Sequence, residues 1–263
     1  MTNKTPESFF TRTDDDVFVG NGPARGPWTA DACHAGPVSG LLARAAEKTI
    51  ADKQMVRLTA NFVRPVPMDG FRIETEVFRD GRTAASVSIT LRDRASRICA
   101  SATSTHIVTM DVGALPTPDL PSPQREGSTP GMFALRKAPH GLPFFSQSIE
   151  MEYPPGEDHG PGPTTAWMRT PPLLSDETPS PFQNICPLAD CGNGISRNLE
   201  LNELSFVNPD ITIALHRLPE SDWLASSAVS HWQSNGIGMA HATLFDEVGA
   251  VGVALQSLVL RPL

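Results

Sequence analysis

Hydrophobic and polar residues alternate with a period of two along three stretches of the first half of the chain. Leu58, Ala60 and Phe62 alternate with Arg57, Thr59 and Asn61; Phe71, Ile73, Thr75 and Val77 with Arg72, Glu74 and Glu76; Val87, Ile89 and Leu91 with Ser86, Ser88 and Thr90. That period predicts strands with one face on a core. A fourth, less regular run covers 97–109, and Asp80-Gly81 marks a hairpin between the second and third strands. Ahead of them Val38, Leu41, Leu42 and Ala45 recur at helical spacing. They predict a helix reaching to about Ala51, with Pro37 at its first position after Gly36.

The same order returns in the second half at a constant spacing of 153 residues. Arg64 maps to Arg217, Leu91 to Leu244, Asp93 to Asp246 and Ser104 to Ser257, and the apolar positions follow: Leu58 to Ile211, Phe71 to Leu224, Ile107 to Leu260. The second copy predicts a helix around 181–197 and strands near 204–216, 222–233, 238–246 and 250–261, with Asn235-Gly236 and Glu247-Val248-Gly249 as turns. Short strands around 15–19 and 146–153 would complete each sheet. One helix followed by four antiparallel strands, each with a polar face, describes an α+β unit: a curved sheet wrapped on a central helix. Between the copies, Ala114 to Pro143 holds Pro116, Pro118, Pro121, Pro123, Pro130, Pro139 and Pro143, which can neither continue a helix nor pair as a central strand. The expected division is 1–113, a connection over 114–143, and 144–263.

Composition narrows the class. The chain has 263 residues, 40% hydrophobic and 19% charged, ordinary for a globular protein with two modest cores. There is no run of about 18 apolar residues, so no membrane span is expected. The N-terminus, MTNKTPESFFTRTDDD, is acidic where a signal peptide would need an apolar stretch, which points to a cytoplasmic protein. The net charge of -8 argues against nucleic-acid binding, but it is unevenly spread. Residues 1–113 carry 14 Lys and Arg against 13 Asp and Glu; residues 114–263 carry 7 against 16. Phosphates of any ligand would therefore favour the first half. Cys33, Cys99, Cys186 and Cys191 form no CxxC and have no histidine at metal-ligand spacing, so they are expected to be structural thiols.

CHAGPVSGLLARAAE, FVRPVPMDGFRIETEVFRDGRTAASVSITL, PLADCGNGIS and FDEVGAVGVALQSLVLRP resemble the acyl-CoA thioesterase II family, in its bacterial thioesterase-like branch. The resemblance covers nearly the whole chain outside the connection. It implies a double-hotdog fold, in which two tandem helix-wrapped antiparallel sheets form one continuous sheet. It also implies hydrolysis of an acyl-CoA thioester to free acid and CoA, without metal or bound cofactor. The family's catalytic Asp falls on Asp190, its closing-strand Gln on Gln256, and its middle residue on Asn208, where many relatives have Thr. Together these would hold one water. The His34-Ala35-Gly36 stretch opening the first helix would supply backbone N–H groups to the thioester oxygen, with Gly36 allowing close approach. The fold's usual edge-to-edge pairing of two sheets would be met within one chain, and a homodimer beyond it is possible.

Each residue also has a plainer role open to it. Asp190 could cap a helix or complement its dipole, Gln256 could face solvent, Asn208 before Pro209-Asp210 could be a turn residue, and His34 could be structural or a general acid. At 153 residues back, Asp190 falls on Pro37, Asn208 on Met55 and Gln256 on Thr103, so only the second copy retains the trio and one site per chain is expected. The Asp-x4-His pattern of hotdog hydratases is missing, as are GxSxG, GxGxxG and the P-loop. Two further functions remain compatible with the fold: a non-catalytic binder of acyl thioesters or lipids, and a hotdog hydratase or cyclase.

Overall fold

The computed structural model describes residues 8–13, 16–118 and 120–263. Part of the strand expected at 15–19, and most of the N-terminal stretch read for a targeting signal, lie outside these residues. The elements are strands β1 (Phe10–Arg12) and β2 (Phe18–Gly20), helix α1 (Ala35–Thr49), β3 (Gln54–Phe62), β4 (Phe71–Asp80), β5 (Ala84–Asp93), β6 (Ile98–Ile107), β7 (Thr129–Pro130), β8 (Glu150–Tyr153) and β9 (Thr164–Arg169). Then come helices α2 (Pro181–Ala189) and α3 (Gly192–Ile195), and strands β10 (Leu204–Val207), β11 (Asp210–Leu215), β12 (Leu224–Trp232), β13 (Ile237–Asp246) and β14 (Gly249–Pro262). The expected α+β class and continuous sheet are observed. A single antiparallel sheet runs β1-β2-β4-β5-β6-β3-β11-β14-β13-β12-β9-β8-β7, with β10 added alongside β14. The order is mirrored about the β3–β11 seam.

That seam is set by the duplication. Thr59 pairs with Thr212, its own counterpart in the repeat, and their hydroxyls hydrogen-bond at 3.1 Å. On either side Leu58 faces Ile213 and Ala60 faces Ile211, so the two copies meet as self-complementary edges. Antiparallel pairing of two equivalent strands leaves neither edge exposed. Inward-facing Leu58, Ala60, Val87, Ile89, Leu91, Ile211, Ile213 and Leu244 join residues of α1 and α2 in one core shared by both copies. The helices touch closely: a Cβ built on Gly36 would stand 2.8 Å from the Pro187 carbonyl oxygen.

The structure departs from the sequence expectations in five places. β9 lay in no predicted strand, although it carries the buried Trp167 and pairs with β12. The alternation in β4 does not translate into burial: Val77 is 41% and Phe78 61% exposed. Thr49, the last residue of α1, hydrogen-bonds Thr75, so α1 ends level with the middle of this strand. The single strand expected over 204–216 is two, broken at Asn208-Pro209, because proline has no N–H for the ladder. The helix expected at 181–197 breaks at Asp190-Cys191.

The constant spacing of 153 residues is the fifth. It holds for β3 to β5 against β11 to β13 but fails for the helices, since α1 begins at 35 and α2 at 181. Only 50–53 separate α1 from β3, whereas 196–203 separate α3 from β10, and these loops absorb the difference. It also slips by one residue in the closing strands. Leu58 pairs with Ser104, while Ile211, its counterpart, stands level with Gln256. The spatial counterpart of Gln256 is therefore Ser104, which is buried and hydrogen-bonded to His106 Nε2 at 2.9 Å, and not the outward-facing Thr103.

The copies also use one equivalent arginine differently. Arg217 makes a bidentate contact with Asp246, whose side chain is fully buried and also accepts from the backbone N–H groups of Glu220, Val248 and Gly249. Arg64, its counterpart, donates to the Ile98 carbonyl, and Asp93 is held by Arg97. Removing Arg217 strands a buried carboxylate, though its backbone donors and the 27% exposure of Arg217 soften the loss. Arg217→Ala is expected to lower unfolding free energy by about 2 kcal/mol in urea denaturation, and Arg64→Ala by less than about 1 kcal/mol.

Candidate active site

Two backbone breaks and one inward-facing strand position aim three side chains at one point. The break between α2 and α3 places Asp190 as the C-terminal cap of α2, against the N-terminus of α1 and not at the start of its own helix. The Asn208-Pro209 interruption turns Asn208 out of the sheet register. Gln256 lies between inward-facing Ala254 and Leu258 on β14 and is 1% exposed, so it does not face solvent.

The side chains meet on a single oxygen. Asn208 Nδ2 donates to Asp190 Oδ1 at 2.8 Å, and Gln256 Nε2 donates to the same oxygen at 3.0 Å. Gln256 Nε2 also reaches the Asp190 carbonyl at 3.1 Å, and Asn208 Nδ2 that of Asp210 at 3.2 Å. The contacts are direct, so both carboxamides hold the carboxylate itself.

A fourth residue, which sequence reasoning missed, fixes which way the carboxamides point. Asn193 donates its backbone N–H to Gln256 Oε1 at 3.2 Å and its side-chain Nδ2 to Asn208 Oδ1 at 3.2 Å. With both carbonyl oxygens engaged, both NH2 groups must turn toward Asp190. The signal was available in PLADCGNGIS, where Asn193 sits three residues beyond the candidate Asp.

His34, Ala35 and Gly36 border the other oxygen. His34 Nδ1 lies 3.2 Å from Asp190 Oδ2 and accepts the Gly36 N–H at 3.1 Å, capping α1. The His34 ring stacks on Phe145 with centroids 3.9 Å apart. Burial lowers its pKa to about 4, so the ring is neutral near pH 7 and its contact with Asp190 is not an ion pair. Gly36 has a packing role as well, since any side chain there would push α1 off α2. The Ala35 N–H has no carbonyl four residues back within the helix.

Burial dominates the acid. Asp190 is 4% exposed, and desolvation raises its pKa to about 7, against the opposing hydrogen bonds from Asn208, Gln256 and the Gly36 backbone. Asp190 forms part of the wall of two cavities, together with Pro27, Trp28, His34 and Asn208. One, of about 110 Å³, is lined mainly by apolar side chains, including Phe133, Leu135, Phe144, Phe145, Leu201 and Phe206. The other, of about 420 Å³, is lined by Phe62, Val63, Val66, Val207 and Val259 as well as Ala35, Arg64 and Arg261. Among the described residues, no group of three or more His, Cys, Asp or Glu side chains comes together as a metal site, all four cysteines are free, and no helix is long and apolar enough to cross a membrane.

The comparisons with known proteins agree with this architecture. The acyl-CoA thioesterase N-terminal domain model matches residues 24–107, and the C-terminal domain model matches residues 116–260. The chain belongs to the acyl-CoA thioesterase family and is a thioester hydrolase. Among solved structures it is similar to a candidate thioesterase of Novosphingobium aromaticivorans, at 20% identity and TM-score 0.75, covering 96% of this chain and 98% of that one. It is also similar to a hot dog protein of unknown function from Alicyclobacillus acidocaldarius, at 17% identity and TM-score 0.72, covering 97% and 96%. A third is an acyl-CoA thioesterase II of Mycobacterium marinum, at 17% identity and TM-score 0.64, covering 97% and 95%. No curated protein matches the chain significantly.

The raised pKa of Asp190 has a measurable signature. The folded state keeps this proton up to about pH 7, whereas an unfolded aspartate releases it near 3.8. Between those values the native state binds more protons, so this group makes stability fall as pH rises across the window. The pH slope of unfolding free energy is expected to flatten there in Asp190→Asn. Carbon-13 NMR should show a carboxyl titrating near 7 that is lost in that variant. Gln256→Leu removes a donor that favours the ionised form and should move the titration upward.

Proposed function

We propose that the protein hydrolyses acyl-CoA thioesters to free acid and CoA, with Asp190 as the general base toward water. The observation that carries this reading is a buried carboxylate, clamped by two oriented carboxamides, in the shared wall of an apolar cavity and a larger, arginine-bearing groove. The thioester lies at that junction. Its acyl group enters the apolar cavity, and its CoA arm follows the groove past Arg64 and Arg261. Arg64 lines this groove, giving one donor to the Ile98 carbonyl and none to Asp93, which Arg97 holds.

In the reaction, Asp190 Oδ2 takes a proton from water as the water oxygen bonds to the thioester carbon. The carbonyl π electrons move onto oxygen, where the Ala35 N–H at the positive end of α1 stabilises them. Collapse of the tetrahedral intermediate breaks the C–S bond, and Asp190 returns its proton to the departing sulfur. An acid with a pKa near 7 suits both transfers at neutral pH. Asn208 and Gln256 fix the carboxylate so that the water need not search for it. Gly36 serves this geometry indirectly: its N–H holds His34, and its missing side chain lets α1 approach Asp190.

The test is release of free thiol from a panel of acyl-CoAs. Asp190→Asn is expected to lower kcat by about 10²–10⁴-fold, the range of a lost general base, and Gln256→Leu or Asn208→Leu by about 10–100-fold through looser positioning. Tight acyl-CoA binding without thiol release would replace this reading by a non-catalytic binder. Loss of an enoyl chromophore without thiol release would replace it by a hydratase. Full activity in Asp190→Asn would remove the acid from the mechanism.

A further inference from the structure

Accepting hydrolysis at Asp190, we infer that the acyl group accepted is short, of about two to five carbons, because the apolar cavity is small and a firmly held wall, built in part from the segment between the two repeats, bounds it. The cavity holds about 110 Å³. For scale, a cavity of roughly 150 Å³ in a protein core accommodates one benzene ring. A medium or long acyl chain would overfill a space of this size.

The wall is Phe133, Ala134 and Leu135 on one side and Phe144 and Phe145 behind, facing Leu201 and Phe206. Phe133 to Leu135 belong to the proline-rich stretch expected to serve only as a connection. Their backbone is tied down on both sides. Gly131 N–H donates to the Met151 carbonyl at 2.8 Å, and Tyr153 donates its hydroxyl to the Met132 carbonyl at 3.2 Å. Ser146 Oγ donates to the Leu135 carbonyl at 2.9 Å, and Gln147 Nε2 to the Arg136 carbonyl at 3.1 Å.

Behind the wall, Phe145 is held in a stack of rings. It lies between Phe9, with centroids 5.9 Å apart, and His34 at 3.9 Å, while Phe133 leans on it at 6.1 Å. Its backbone N–H is fixed to the Arg25 carbonyl. The far wall is equally firm, since Phe206 and Leu201 pack with Leu258, Leu260 and Trp232 in a separate apolar cluster. Moving the wall for a longer chain would break several of these contacts together. Interiors packed this closely resist such displacement.

The experiment measures kcat/KM for acetyl-, butyryl-, hexanoyl-, octanoyl- and palmitoyl-CoA by thiol release. Wild type is expected to favour butyryl- over palmitoyl-CoA by about 100-fold or more. Leu135→Ala, and independently Leu201→Ala on the opposite wall, should raise the octanoyl-to-butyryl ratio by about tenfold by deepening the cavity. A wild-type profile that climbs toward palmitoyl-CoA overturns this inference and leaves hydrolysis at Asp190 standing. An unchanged ratio in both folded variants overturns the role of the wall. No thiol release from any of the five substrates overturns the proposed function itself, which is a separate outcome.

Discussion

The site depends on keeping a carboxylate out of water. An isolated buried carboxylate is costly, and a protein can meet that cost by neutralising the group, by pairing it with a cation, or by surrounding it with hydrogen-bond donors. Among the described residues, no lysine or arginine pairs with Asp190. Asn208, Gln256 and the start of α1 donate instead, and they offset only part of the desolvation, leaving the acid near neutrality. A lysine or arginine in place of either carboxamide would hold the pKa far lower and weaken the base. The choice of neutral donors therefore sets the chemistry as much as the choice of acid.

The donors require a particular frame. β3 and β11 join at Thr59 and Thr212, which brings both copies into one sheet and lays α1 and α2 across it in contact. A symmetric frame would by itself give two equivalent sites. Symmetry is broken where the second helix stops at Asp190, where Pro209 interrupts a strand, and where the closing strand slips by one residue. In the first copy the place of Gln256 is taken by Ser104, paired with His106 inside the core. The irregularities are thus the features that convert a duplicated scaffold into one site.

Much of this was legible in the sequence, and the gaps have physical causes. The half-buried strands announced themselves through alternation, because each has one face on the core and one in water. β9 did not, since TTAWMR has no clear alternation and three of its consecutive residues, Ala166 to Met168, are buried. Constant spacing located the repeat but could not reveal the slip in β14, because pairing register is set by turns and bulges. Asp190, Asn208 and Gln256 were singled out through family resemblance, and in the structure both carboxamides lie within hydrogen-bonding distance of Asp190. Asn193 was not singled out: PLADCGNGIS places it three residues beyond Asp190, but its role in orienting two amides, one from β14 and one from the Asn208-Pro209 break, is visible only in the fold.

The position of Asp190 between two helix ends explains why its environment is so evenly poised. As the C-terminal cap of α2 it sits where a negative charge is disfavoured, beside carbonyls that have no partner within the helix. At the same time it faces the first turn of α1, where the amides favour negative charge. The helices pack with these opposite ends together, so their local fields oppose each other at the carboxylate. What remains is the balance between desolvation and a few hydrogen bonds, each worth about 1.5–3 kcal/mol to a charged group. One donor more or fewer is then enough to move the acid out of the neutral range, which gives Gln256 and Asn208 control over the proton without either needing to touch the substrate.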